Sequence, residues 1–108
     1  MKTNLPDQLA SYFAAVNKQD IDGMLAPFAA DAVVKDEGRT HNGSRAVREW
    51  IEEVTERYHL TFEVADVVHD GQAIVVTGLV SGTFPGSPAR LSYAFELAGE
   101  TITRLEIK

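Results

Sequence analysis

The sequence contains no cysteine among its 108 residues. Without cysteine the chain forms neither a disulfide framework nor a zinc–thiolate site, and thiolate catalysis is excluded. This composition fits a reducing compartment, and we expect a cytoplasmic location. Long apolar runs are also missing, since none approaches the roughly 20 residues that a membrane-spanning helix needs. Residues 1–6 lack the apolar stretch of a signal peptide. We therefore expect no membrane partner.

Basic residues are few, with ten Lys and Arg against sixteen Asp and Glu, for a net charge of −6. A nucleic-acid-binding protein needs a basic stripe that neutralises phosphates, so we expect no nucleic-acid partner. What the chain does have is 44% hydrophobic residues, enough for one core. Its length suits a single domain over residues 1–108.

The N-terminal half has helical spacing of its apolar residues. A first helix is predicted over residues 6–18, capped by Thr3 or Asn4. Asp20 caps a second helix that extends to Phe28, near the helix-limiting Pro27. After a short strand over residues 32–36 and a brief extension between glycine turns, Ser44 caps a third helix that ends near residue 58.

The C-terminal half changes to a period of two, which is typical of strands. Strands are predicted over residues 60–68, 73–84, 91–97 and 101–107. Gly78 and Gly82 lie inside the second of these, where interior glycines indicate bends or bulges. We therefore predict an α+β fold. Three N-terminal helices pack on a strongly curved mixed or antiparallel sheet, which forms a cone with a pocket.

Four stretches of the sequence resemble the nuclear transport factor 2-like superfamily, in particular its SnoaL-like branch. They are residues 12–22 (YFAAVNKQDID), 28–34 (FAADAVV), 42–47 (NGSRAV) and 102–107 (ITRLEI). The resemblance covers nearly the whole chain and implies the cone-shaped fold. The superfamily includes isomerases, dehydratases, epoxide hydrolases, polyketide cyclases and proteins without catalysis, so fold alone does not imply function.

Within that superfamily, the ketosteroid isomerases offer the closest comparison for a site. They carry a hydrogen-bonding tyrosine on the first helix and an aspartate base at the end of the first strand. Tyr12 and Asp36 match these two positions. A later protonated aspartate of those enzymes has no counterpart, and Tyr93 takes its place in this sequence, which is a departure from the pattern.

Asp36 is the predicted catalytic residue. Strand alternation places it on the same face as Val34, and burial in a pocket would raise its pKa and make it a stronger base. The alternative is that Asp36 begins a solvated turn with Glu37 and Gly38. The sequence is consistent with both alternatives.

Tyr12 and Tyr93 are predicted to polarise a carbonyl by hydrogen bonding, with core packing of the two rings as the alternative. His41 is a candidate acid/base partner of Asp36, and His59 is a second. No two histidines have the spacing of a metal pair, so we predict no metal. We also predict no cofactor, because proton transfer and stabilisation of an oxyanion need none.

Ten further residues are predicted to line the pocket, although a domain of this size needs most of its large side chains for the core. They are Phe13, Val16, Met24, Phe28, Val34, Trp50, Tyr58, Phe62, Phe84 and Phe95.

The leading hypothesis is an acid/base enzyme of the isomerase, dehydratase or cyclase type, acting on a small apolar carbonyl compound. The alternative is a non-catalytic ligand-binding or dimeric assembly module of the same fold. Apolar residues on both faces of the strand over residues 73–84 favour a homodimer through the sheet.

Overall fold

The computed structural model describes residues 5–108, and these confirm the α+β class. The elements are α1 (Asp7–Asn17), α2 (Ile21–Leu25), β1 (Phe28–Asp36), β2 (Arg39–Asn42), α3 (Gly43–Tyr58), β3 (Thr61–Asp70), β4 (Ala73–Ser81), β5 (Ala89–Ala98) and β6 (Thr101–Ile107). The predicted cap of α1 by Thr3 or Asn4 falls outside the described residues. In the structure α1 begins at Asp7, directly after Pro6, a residue that suits the start of a helix.

The sheet of this described region has six strands in the order β2-β1-β6-β5-β4-β3 and does not close. β1 and β6 are parallel, and the other neighbouring strands are antiparallel. The register shifts in β1 after Phe28, in β3 after Val64 and in β6, where Thr103 is the extra residue opposite Glu96 and Leu97 of β5. Such bulges bend and twist a strand. They give the predicted curvature, and the helices cover the concave face.

The prediction that Phe28 ends the second helix is wrong. α2 ends at Leu25, and Phe28 is the first residue of β1, paired with Ile102 of β6. Pro27 limits the helix, while its carbonyl oxygen accepts a hydrogen bond of 2.8 Å from the backbone N–H of Ile102. This contact with the last strand draws Phe28 into the sheet.

Two predicted boundaries also need correction. α3 begins at Gly43, after Asn42, rather than behind a Ser44 cap. Gly43 turns the chain directly from β2 into the helix at a φ of +87°, which glycine adopts without strain. β4 ends at Ser81 instead of residue 84, because the backbone N–H of Thr83 leaves the sheet and donates to the carbonyl of Tyr58.

Gly78 lies in β4 opposite the bulge of β3, so the irregularity is in the neighbouring strand and not at the glycine itself. A Cβ at this position would overlap the carbonyl oxygen of Glu63 and come within 2.6 Å of the Phe62 ring. The absence of a side chain therefore allows β3 to bulge and Phe62 to pack inward.

We expect Gly78→Ala to lower the free energy of unfolding by about 1–3 kcal/mol, because the methyl group overpacks a rigid contact. Urea denaturation measures the change. Ser81→Ala, on the same strand but free of this contact, should change stability by less than about 0.5 kcal/mol. Equal stabilities of the wild type and Gly78→Ala would show that the contact is not tight.

The end of α1 is attached to the first residues of β3 by two amide side chains. Asn17 accepts a hydrogen bond of 2.7 Å from the Phe62 N–H and donates one of 3.1 Å to the Phe62 carbonyl. Gln19 donates to the Leu60 carbonyl at 2.6 Å. Because β3 is an edge strand, these bonds satisfy backbone groups that would otherwise be unpaired.

No helix within residues 5–108 is long and apolar enough to cross a membrane.

Candidate functional site

A cavity of about 290 Å³ lies between α1, α3 and the concave face of the sheet. Its wall is mostly apolar, with polar atoms supplied by a few tyrosine, tryptophan, threonine and acidic side chains. The lining residues are Tyr12, Val16, Met24, Asp36, Glu37, Trp50, Ile51, Val54, Thr55, Tyr58, Leu60, Val80, Phe84, Pro85, Leu91, Tyr93 and Ile107. A cavity with this composition suits a small, largely apolar ligand held by a few polar groups.

Asp36 is the last residue of β1, and its half-buried carboxyl group lies on the cavity wall. Strand alternation explains this position, because Val34 on the same face is fully buried. The indole N–H of Trp50 donates a hydrogen bond of 3.0 Å to Oδ2 of Asp36. Asp36 thus stands where the wall meets a buried hydrogen-bond donor, rather than in a solvated turn.

Burial raises the pKa of the Asp36 carboxyl group above its ordinary value, because desolvation disfavours the charged form. The Trp50 hydrogen bond opposes this effect, since it stabilises the carboxylate. Among nearby charges, Glu37 raises the pKa of Asp36 and His41 lowers it. A carboxyl group with a raised pKa binds a proton more tightly than one in water, which suits a general base or acid.

Tyr12 of α1 and Tyr93 of β5 are both buried and both line the cavity. Burial raises the pKa of each phenol well above its usual range, and the charge of Asp36 contributes in the same direction. Both hydroxyl groups therefore remain protonated at neutral pH. A protonated phenol at a dry site can donate a hydrogen bond to a ligand oxygen.

His41 of β2 is half-buried and lies next to the site without lining the main cavity. It is opposite Val34 in the β1–β2 register, and its ring centroid is 6.1 Å from that of Trp50. It lines a separate small recess together with Asp36 and Trp50. His59, the other candidate partner, is exposed at the end of α3 in a left-handed conformation.

Five of the ten predicted lining residues lie on the cavity wall: Val16, Met24, Trp50, Tyr58 and Phe84. The structure places the other five in the core and not on this wall: Phe13, Phe28, Val34, Phe62 and Phe95. The Phe13 and Phe62 rings stack with centroids 4.2 Å apart. All five side chains belong to the core next to the cavity, because the core of so small a domain uses most of its large side chains.

The lining residues not predicted from the sequence come mainly from α3 and from strands. Ile51 and Val54 share one face of α3 with the predicted Tyr58, and this helical spacing was the available signal. Leu91 precedes Tyr93 by two residues and therefore faces the same side of β5. Pro85 and Glu37 lie in turns, where no periodic pattern indicates which way a side chain points.

No cluster of three or more metal-ligating side chains occurs in the described part of the chain.

Comparison with protein-family models shows a match to the SnoaL-like domain over residues 9–105. A search of curated proteins found no match. Among solved structures, a protein from Sinorhizobium meliloti described as a candidate polyketide cyclase is 39% identical, with a TM-score of 0.92. The match covers 97% of this chain and 96% of that one.

Two other structures support the fold. A protein from Sphaerobacter thermophilus is 29% identical, with a TM-score of 0.78 and coverage of 94% of this chain and 92% of that one. A protein from Catenulispora acidiphila with a ketosteroid isomerase-like fold, solved with trimethylamine, is 18% identical. Its TM-score is 0.83, and the match covers 99% of this chain and 86% of that one. With 97 residues matched by the family model, this chain belongs to the SnoaL-like domain family.

Proposed function

We propose that this protein is an acid/base enzyme that moves a proton on a small apolar carbonyl compound, with Asp36 as the general base. The observation that carries the proposal is the half-buried Asp36 carboxyl group at an apolar cavity that also contains two protonated phenols. The resemblance to the candidate polyketide cyclase from S. meliloti supports the same class of chemistry.

In the proposed reaction, the Asp36 carboxylate removes a proton from the carbon next to the carbonyl group. The C–H electron pair forms the enolate double bond, and the carbonyl π electrons move to oxygen. Tyr12 and Tyr93 donate hydrogen bonds to that oxygen. The protonated Asp36 then returns the proton to another carbon in an isomerisation, or to a departing hydroxyl group in a dehydration. In a cyclisation, the enolate carbon attacks a second carbonyl, whose oxygen takes the proton. None of these steps requires a cofactor.

The test is turnover of a panel of enones, hydroxyketones, diketones and epoxides by the purified protein, followed by NMR in buffered water. We expect at least one carbonyl compound to be converted. As a binding probe we use 2-naphthol, a small and mostly apolar molecule with one hydroxyl group. If no compound of the panel is converted while 2-naphthol binds the cavity, the protein is a non-catalytic binding module. Conversion of epoxides alone would replace enolate chemistry with epoxide opening.

A second proposal concerns assembly, and it depends on the outer face of the sheet. Val68 of β3 and Leu79 of β4 are 49% and 38% exposed, and they are the exposed large hydrophobic residues of the described chain. On the same face, the hydroxyl groups of Thr77 and Ser92 lie 3.3 Å apart and satisfy each other. The exposed Val68 and Leu79 thus lie beside these paired hydroxyl groups and the charged strand neighbours Glu63, Asp66 and Arg90. We infer that a second copy of this chain covers the two apolar side chains.

We expect light scattering at micromolar concentration to give twice the mass of the chain. Leu79→Glu should shift the protein toward monomer, because a buried charge would oppose the interface. Glu56→Lys, on the exposed face of α3, should leave the mass unchanged. A monomeric mass for the wild type would rule out the dimer.

A further inference from the structure

Trp50 lies between two hollows, one mostly apolar and one polar. It is 5% exposed on α3, and it lines both the apolar cavity and the small polar recess beside it. The recess is bordered by charged and titratable groups: Asp36, Glu37, Arg39, His41, Glu53 and Arg57. Asp36 also lies on both walls. Glu37, Val54 and Tyr58 line both hollows as well, so the indole ring and the carboxyl group are part of the wall between the ligand space and the charged recess.

The hydrogen bond between Trp50 and Asp36 involves one of the two carboxylate oxygens. The indole nitrogen lies 3.0 Å from Oδ2, and no side chain within residues 5–108 makes a comparable bond to Oδ1. The other hydrogen bond to this carboxyl group comes from the backbone N–H of Glu37. A buried indole N–H needs an acceptor, but any carbonyl group would satisfy it. Here the acceptor is the carboxylate at the cavity wall.

We propose that Trp50 is a positioning residue, whose N–H occupies Oδ2 of Asp36 and leaves Oδ1 to exchange the proton with the ligand. This role rests on the proposed use of Asp36 as a base. The bond also sets how tightly the carboxylate holds its proton, because it stabilises the charged form while burial disfavours it. Loss of the indole N–H would remove this stabilisation of the carboxylate, so burial would raise the pKa of Asp36 further.

The first test needs no mutation, because Trp50 is the only tryptophan of the chain. Its indole N–H gives one identifiable signal in a ¹⁵N–¹H spectrum. We expect that signal to shift with pH along the titration of the Asp36 carboxyl group, which ¹³C NMR follows. In Asp36→Asn the indole signal should no longer depend on pH in that range. An indole signal that stays constant through the Asp36 titration would overturn the proposal.

The second test is Trp50→Phe, which keeps an aromatic ring but removes the donor. We expect the pKa of Asp36 to rise, with about a tenfold higher proton affinity. Tyr58→Phe is the matched control, because Tyr58 lines both hollows yet makes no hydrogen bond to Asp36 among the described residues. A purely structural role for Trp50 predicts lower stability in Trp50→Phe without a change in the Asp36 pKa, and that result would contradict the positioning role.

These readouts require no substrate, so they are independent of the proposed function. If a substrate is found, the pH profile of kcat/KM in Trp50→Phe should move to higher pH together with the Asp36 titration. A profile that stays in place while the carboxyl pKa moves would contradict the positioning role. Absence of turnover in the wild type would remove the enzyme proposal and leave the NMR outcomes to decide the hydrogen bond.

Discussion

Asp36→Asn is expected to lower turnover by about 10²–10⁴-fold, which is the usual contribution of a positioned general base. Asparagine has nearly the same shape but does not accept a proton at neutral pH. Its carbonyl oxygen can still accept the Trp50 hydrogen bond, so the cavity should keep its form. The measurement is kcat/KM for the best substrate of the panel, compared side by side with the wild type.

Loss of activity in Asp36→Asn should not come from unfolding. Burial raises the pKa of Asp36 in the folded state above its value in the unfolded chain. Its protonated form therefore stabilises the fold at low pH, and this contribution is lost as the pH rises through the raised pKa. The neutral asparagine avoids that loss, so at pH 7 the variant should be at least as stable as the wild type.

The matched control is Asp31→Asn, an exposed carboxylate on the same strand. Its turnover should equal that of the wild type. If Asp36→Asn retained full turnover, the general-base mechanism would be wrong, and the tyrosines would become the first residues to examine.

Phe95→Ala should lower the free energy of unfolding by about 3–5 kcal/mol, the range for truncating a buried phenylalanine. Phe95 is fully buried, and its ring contacts those of Tyr12 and Phe13 at centroid distances of 5.9 and 5.8 Å. Truncation removes these contacts and leaves a void that the surrounding rings only partly fill. Urea denaturation at pH 7 provides the measurement.

Phe84→Ala is the comparison that separates core from cavity wall. Phe84 is half-buried on the wall, where its ring meets that of Tyr58 at 5.9 Å. We expect a stability loss of about 1 kcal/mol. Affinity for 2-naphthol should fall about tenfold, because part of the apolar contact with the ligand is lost. Equal stability losses in the two variants would contradict the assignment of Phe95 to the core.

Local patterns in the sequence were sufficient for most of the elements. The helical spacing along α1 and α3 and the alternation in β5 depend only on which residues alternate between core and solvent. The same alternation placed Asp36 on the face of Val34, and the structure agrees. Whether Asp36, Tyr12, Tyr93 and His41 act in catalysis stays a prediction.

Other features depend on contacts between residues far apart in the chain. The parallel pairing of β1 with β6 brings Phe28 beside Ile102, and no local pattern encodes such a pair. The same limit applies to the bulge opposite Gly78, which belongs to the neighbouring strand.

The division between core and cavity was likewise decided by tertiary structure. Phe62 and Phe84 are equally apolar, and both were predicted to line the cavity because no sequence pattern distinguishes them. Phe62 is drawn inward by the hydrogen bonds of its backbone to Asn17, whereas Phe84 follows the turn that binds the end of α3. The sequence by itself determined the family, the element types and the face on which Asp36 lies, because these follow from residue order and local periodicity. Only the tertiary structure decided which apolar side chains fill the core and that Trp50 bonds to Asp36, because both depend on the distances between separate elements.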